Sequence, residues 1–255
     1  MMAKNAPLFS IITVSLNNLD GLKATHASLK AQSCRDFEWI VMDGGSTDGT
    51  MEHLKSTDAR WTSKKDDGIY DAMNGGMAKA KGHYLLFLNA GDALAAPSVL
   101  DEISKHTEKT SDFIFGDALE TRRGSKPFYK RSRSSKELPS GMFTHHQAML
   151  YARRIIRQNK MHYSLLFPIA ADYDFTARFL QQCKKVVYLP QPICLIESGG
   201  LSQQQAYQER REQYLIRDKL ELCSQWYNFW IFIRQGLAWR VRTLFPWAYR
   251  LANSS

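Results

Sequence analysis

The sequence predicts an α/β fold: a mixed, mainly parallel, Rossmann-like sheet flanked by helices, with an amphipathic helical tail. Three observations predict it. Short β-branched runs alternate with segments of helical period over residues 9–94, which is the signature of βαβ units. The runs end in clusters of Asn, Asp and Gly, the residues of tight loops. The composition then changes near residue 223, where Trp and Arg become dense. We therefore divide the chain into an α/β domain over 1–222 and a tail over 223–255.

Phe9 to Ser15 is an unbroken apolar and β-branched run, suited to a strand covered on both faces. Asp20 offers an N-cap, and Leu22, Thr25 and Leu29 recur at helical spacing through Gln32. Phe37 to Met42 is a second buried strand, and the turn-rich loop Asp43 to Thr50 leads into a short helix over Met51 to Ser56. A weaker strand near Arg60 and Trp61 precedes the loop Lys64 to Gly68 and a helix from Ile69 to Lys81. His83 to Leu88 is the strongest strand signal and stops at Asn89-Ala90-Gly91-Asp92. Beyond residue 95 the pattern predicts strands at Asp112–Phe115, Gly124–Tyr129, Val186–Leu189 and Ile193–Ile196. Helices are expected from Asp172 to Gln181 and from Gln203 to Leu222.

Right-handed crossovers place the loops after parallel strands on one edge of the sheet, where open α/β sheets bind ligands. The loops at Asn17–Asn18, Asp43–Thr50 and Asn89–Asp92 should therefore converge. Asp92 follows a buried strand and two small residues, so its carboxylate can meet a diphosphate at the sheet edge. Hard divalent ions, Mg²⁺ or Mn²⁺, take oxygen ligands and neutralise a leaving diphosphate. Asn89 can add a neutral oxygen or a ribose contact, and a plain turn is the alternative for both residues. Asp43 ends a strand and can bind ribose hydroxyls or a base N–H, or form an Asx-turn. Asp66, Asp67, Asp71 and Asn74 surround the start of one helix, where carboxylates favour the dipole and can also touch a nucleotide. Asp172 and Asp174 stand at another helix start; Asp172 is either an N-cap or a general base for a hydroxyl.

The net charge of +9 favours anionic partners, and basic residues crowd Arg122 to Lys136. Helix-turn-helix, zinc-ligand and aromatic RNA-binding signatures are missing, which argues against nucleic acid. Cys34, Cys183, Cys194 and Cys223 form no CxxC pair, so we read them as reduced, packed thiols rather than a zinc site. The N-terminal apolar run reads as a strand, not a signal peptide. The longest late uncharged run, Leu222 to Ile233, is too short to span a bilayer.

Taken in order, Ser10-Ile11-Ile12-Thr13-Val14-Ser15-Leu16-Asn17, Asp43-Gly44-Gly45-Ser46-Thr47-Asp48-Gly49-Thr50, Asp67-Gly68-Ile69-Tyr70-Asp71-Ala72-Met73-Asn74 and Leu88-Asn89-Ala90-Gly91-Asp92 resemble family 2 glycosyltransferases of GT-A fold, especially bacterial exopolysaccharide and O-antigen transferases of the colanic-acid cluster type. The resemblance spans residues 9 to about 205. It implies inverting transfer from a nucleotide-diphosphate sugar, a UDP-sugar by preference, to a glycan acceptor. Thr13, Ser15, Asn17 and Asp43 fall on the nucleoside side, with Asp66, Asn74 and Asn89 as further donor contacts. Asp92 matches the last carboxylate of the metal motif and Asp172 the base of the acceptor motif. His146, Gln147, Gly199 and Gly200 match segments near donor and acceptor. Asn89 and Gly91 replace acidic positions of the fuller metal motif, Ala171 replaces the usual Glu before the base, and Lys64 stands where relatives often carry an acid. The subgroup resembled commonly reads Asn-Ser/Ala-Gly-Asp, so activity is still expected. A non-catalytic nucleotide-sugar or glycan-binding module on the same fold is the alternative.

In the tail, Trp226, Trp230, Ile233, Leu237, Val241 and Leu244 trace one helical stripe, interleaved with Arg234, Arg240 and Arg242. Such a helix suits the bilayer interface and a lipid-linked acceptor, placing the protein in the cytoplasm, peripheral on the inner face of the bacterial membrane. Packing on the domain or on another subunit is the alternative.

Overall fold

In the computed structural model, residues 6–107, 111–121, 125–197 and 205–244 are described. β1 (Phe9–Ser15) lies at the middle of the first half-sheet because every residue in it is buried, as its unbroken apolar pattern requires. β2 (Phe37–Asp43), β3 (Arg60–Ser63) and β4 (Tyr84–Phe87) join it in parallel. Their crossovers are α1 (Leu19–Lys30), α2 (Thr50–Lys55) and α3 (Ile69–Lys79). Asn18, not Asp20, caps α1: its side chain accepts from the Gly21 N–H at 3.1 Å.

The second half inserts antiparallel strands. After β5 (Ala93–Leu94) and α4 (Val99–Ser104), β6 (Phe113–Thr121) and β7 (Phe128–Lys130) form a hairpin. β8 (Met149–Ala152) leads into α5 (Arg153–Gln158), and α6 (Ala171–Leu180) into β9 (Val186–Glu197). The sheet order is β3-β2-β1-β4-β8-β6-β9-β5, with β7 beside β6. The parallel character is thus concentrated in the half that reads as βαβ units. β8 runs antiparallel to both β4 and β6. The two late runs expected as separate strands are one strand, β9, with a register shift opposite Gly116 and Asp117.

Two apolar layers cover the sheet, one including Ile12, Met73, Phe87, Phe113 and Phe175, the other Leu22, Trp39, Leu86, Leu100 and Ile114. α7 (Ala206–Lys219) and α8 (Gln225–Leu244) follow. α8 seats on α7 through Asn228, which accepts from the buried Arg217 Nε at 2.6 Å, and through Phe232 against Tyr214. α8 buries Asn228 and Ile231, donates from Gln235 to the Ser140 carbonyl at 3.4 Å, and leaves Trp226, Trp230, Ile233, Leu237 and Val241 of the expected stripe exposed. Trp247 lies outside the described residues, as do Gly199, Gly200 and the basic pair Arg122–Arg123. Two further cations of that basic segment serve the fold: Lys130 pairs with Glu120 at 3.0 Å, and Arg133 donates to the carbonyls of Gly141 and Met142.

Candidate active site

Hydrogen bonds tie the three predicted loops together at the carboxyl edge of the parallel strands. Asp43 is 2% exposed. Its carboxylate accepts from the Gly45 and Ser46 amides at 3.2 and 3.0 Å, from the Ser63 hydroxyl at 2.6 Å and from the Ser46 hydroxyl. The Asx-turn alternative therefore holds in part, because this carboxylate builds the loop 43–50. Asn17 sits at φ 48. Its amide donates to Ser46 Oγ at 2.7 Å, and its side-chain oxygen accepts from the Thr47 amide at 2.9 Å. Asn18 then reaches the Ala90 carbonyl at 2.9 Å, tying the first loop to the Asn89–Asp92 turn. Asp66 borders the same loop: a side chain at Gly44 would stand 3.1 Å from its carboxylate. Ser15 lies beside these groups in sequence, and its buried hydroxyl has no hydrogen-bond partner among the described residues.

The Asn89–Asp92 turn carries the second cluster. The Thr25 hydroxyl donates to the Asp92 carbonyl at 2.7 Å and accepts the Gly91 amide at 3.1 Å. Gly91 has φ 103, a conformation that side chains disfavour, which accounts for glycine where an acid would otherwise extend the motif. Gln147 Nε2 donates to the Asp92 carboxylate at 2.8 Å. Burial pushes the Asp92 carboxyl above the usual range, opposed by the Gln147 bond and the neighbouring His146. Asn89 Nδ2 lies 3.4 Å from His146 Nε2, and His146 Nδ1 lies 3.6 Å from the Asp172 carboxylate. With Asn89 as donor, Nε2 accepts, so a neutral imidazole carries its proton on Nδ1, toward Asp172.

Asp172 is not the cap of α6. That position belongs to Ala170, which offers no side-chain bond, and Asp172 sits one residue inside the helix with its carboxylate turned toward His146. Burial, and next the Asp172 carboxylate, raise the Glu209 carboxyl to about 7. Sequence reasoning missed Glu209, because a Glu in a polar helix carries no signal that α7 brings it within the field of Asp172.

Two of the expected donor contacts are bonded within the fold. Thr13 is fully buried, and its hydroxyl accepts from the Trp39 indole at 2.9 Å, which braces β1 against β2. Asn74 exchanges two hydrogen bonds with the Tyr163 backbone, at 2.7 and 3.0 Å, and lines a cleft of about 680 Å³ at the opposite edge of the sheet. That cleft is rich in cations, several of which serve the fold. Arg60 pairs with Glu38 and reaches the Lys79 carbonyl, and Arg153 donates to the Gly82 carbonyl.

The family profile described as glycosyl transferase family 2 matches residues 10–186. The chain belongs to that family. A glycosyltransferase of Mycobacterium tuberculosis with no characterised role is 36% identical over 194 residues, covering 71% of this chain and 72% of its own. A PGL/p-HBAD biosynthesis glycosyltransferase of Mycobacterium bovis is 34% identical over 184 residues, covering 68% and 70%. The fold matches S. aureus TarS in complex with UDP-GlcNAc at a TM-score of 0.68 and 16% identity, over 90% of this chain and 72% of that one. A mannosyltransferase from Pyrobaculum calidifontis, in complex with GDP-Man and Mn²⁺, matches at 0.62 and 16%, over 97% and 79%. The protein is thus a glycosyltransferase, and the relatives named here are mycobacterial. Among the described residues of this glycosyltransferase, no three His, Cys, Asp or Glu side chains group to hold a metal unaided. No helix among them is long and apolar enough to cross a membrane.

Proposed function

We propose that the enzyme transfers a sugar, with inversion, from a nucleotide-diphosphate sugar to a hydroxyl of a lipid-linked glycan acceptor in bacterial surface polysaccharide synthesis. The observation that carries this reading is a polar cluster at the sheet edge, with Gln147 bonded to the Asp92 carboxylate and His146 standing between Asn89 at 3.4 Å and the Asp172 carboxylate at 3.6 Å. It sets a carboxylate suited to a diphosphate beside one suited to a hydroxyl.

Asp66, Ser15 and Asn17 form the nucleoside side on the loop that Asp43 shapes, and the UDP-GlcNAc complex of TarS favours a uridine nucleotide. Asp92 and Asn89 would hold Mg²⁺ or Mn²⁺. Asn89 Oδ1 is buried with no hydrogen-bond partner among the described residues, and with the Asp92 carboxylate it would supply the oxygen donors such ions take. When bound, the ion would neutralise charge on the departing diphosphate. Asp172 takes the proton of the acceptor hydroxyl. The hydroxyl oxygen bonds to the anomeric carbon as the bond to the diphosphate oxygen breaks on the opposite face. His146 and Gln147 hold the two carboxylates apart in their separate tasks.

The tail would bring the enzyme to the cytoplasmic membrane face. Exposed Trp226, Trp230, Ile233 and Leu237 beside Arg234 suit an anionic bilayer interface. Trp226→Ser with Trp230→Ser should lower binding to anionic vesicles severalfold; unchanged binding would remove the membrane role.

The decisive variant is Asp172→Asn. It should bind UDP with Mn²⁺ as the wild type does and lose transfer by 10²-fold or more, as removal of a general base costs roughly 10²–10⁴. Near-normal turnover would exclude Asp172 as the base.

A further inference from the structure

α6 begins without a local cap. Ile169-Ala170-Ala171 carries no side chain able to satisfy the first amides, and no cap hydrogen bond forms from Ala170. An exposed helix start can leave such amides to water, but these are buried. The acceptor comes instead from a helix more than forty residues away in sequence. Glu212 on α7 is buried, and its Oε2 accepts from the Ile169 amide at 3.0 Å and the Ala170 amide at 2.8 Å. Its Oε1 accepts from Gln208 at 2.9 Å, which fixes the carboxylate on its own helix. The opposite side of the same turn is held from the donor half: Tyr70 on α3 donates its hydroxyl to the Ile169 carbonyl at 2.8 Å. The turn gripped by these two residues ends two positions before Asp172.

We propose that Glu212 is a positioning residue for sugar transfer: its carboxylate anchors the Ile169 and Ala170 amides that lead into α6, working against Tyr70 to fix the turn that aims Asp172. The inference rests on the reading of Asp172 as the base. Local geometry gives it a physical basis. A buried acceptor bonded to two amides at a helix start fixes both the direction of the first turn and its register. Among the described residues Asp172 has few other holds: His146 stands 3.6 Å away, its carboxylate accepts from the amide of the next residue, Tyr173, at 2.7 Å, and the Tyr70 hydroxyl lies against its backbone amide. Release of the turn would let the base drift, and a displacement of about 1 Å can cost 10²-fold in rate. The same arrangement makes α7 part of the active site, and the buried Arg217–Asn228 bond extends that dependence to α8.

The test compares Glu212→Ala, Glu212→Gln, Asp172→Asn and the wild type as full chains. Sites are counted by titration with UDP and Mn²⁺. Turnover per site is followed as UDP release from a panel of UDP-sugars, with bacterial lipid extract as acceptor. Amide exchange is followed over residues 167–175. Glu212→Ala should lose roughly 10–100-fold in turnover per site with UDP affinity within twofold. Exchange should speed up in 167–175 but not in β1 or β2. Glu212→Gln keeps an oxygen acceptor and should stay within about threefold of wild type. Counting sites separates misplacement from a fall in folded protein, which would leave turnover per site unchanged. The proposal is overturned if Glu212→Ala keeps wild-type exchange in 167–175, or keeps turnover per site within threefold of wild type. It is also overturned if Glu212→Gln falls as far as Glu212→Ala. Retained turnover in Asp172→Asn would instead remove the reading of the base.

Discussion

The nucleotide-side loop and the acceptor-side turn are built to opposite standards. In the first, Asp43 satisfies its carboxylate with four bonds from its own loop and from Ser63, and Asn17 closes both ends onto Ser46 and Thr47. In the second, contacts are longer and less complete: 3.4 Å from Asn89 to His146, 3.6 Å from His146 to Asp172, and an Asn89 oxygen left without a partner. A surface that recognises a rigid nucleotide gains from preorganisation. Groups that must grip an ion and take up a proton need unsatisfied valence until substrate arrives. The difference teaches which carboxylates serve the scaffold and which remain available for chemistry.

The sharpest way to break that contrast is at Asp92. Asp92→Ala should lower transfer by about 10²–10³, the scale of losing a charge-stabilising group, and should abolish the Mn²⁺ dependence of UDP binding in calorimetry. Chelation with EDTA should lower wild-type turnover to a similar level and leave the variant unchanged. At Asp43 the effect should appear in folding instead. Asp43→Ala strands the buried Ser46 amide and hydroxyl, costing about 2 kcal/mol and lowering Tm by roughly 4–8 °C in a thermal scan. A variant with wild-type Tm but no UDP binding would reverse the assignment of Asp43 to the scaffold.

Smaller effects sharpen the comparison. Gly91→Ala should cost about 1–2 kcal/mol, because φ 103 is strained for any side chain; chemical denaturation reads it. Glu209→Gln should act through pH alone. Folded Glu209 keeps its proton up to about 7, above the range of an ordinary unfolded carboxylate. Between those values the folded chain binds more protons than the unfolded one. The stabilisation is therefore complete at low pH and lost as pH rises through 7. Glu209→Gln should raise Tm relative to wild type at pH 8 and leave it nearly unchanged at pH 5.

The parallel half of the fold was legible because most of its strands are local apolar runs ended by turn formers, as Phe9–Ser15 and Phe37–Asp43 illustrate. Convergence of Asn17, Asp43 and Asp92 followed from topology. Thr13 and Asn74 carry motif residues whose polar groups the fold consumes, through the Trp39 indole and the Tyr163 backbone. No sequence pattern reports which partner takes a hydroxyl or an amide. β8 escaped because Met149–Ala152 is four residues long with no turn signal of its own. Glu212 escaped because its significance depends on a contact with Ile169 and Ala170, distant in sequence, and a Glu in a polar helix reads as solvated surface.

The central claim is that Asp92 and Asp172 face one bound donor across His146. Crystals of the full chain grown with UDP and Mn²⁺, measured at the manganese absorption edge, test it most directly. The account predicts one anomalous peak bonded to Asp92 and the diphosphate, with Asp172 opening onto the same cavity. A manganese bound away from Asp92, or a UDP whose diphosphate points away from Asp172, would contradict it.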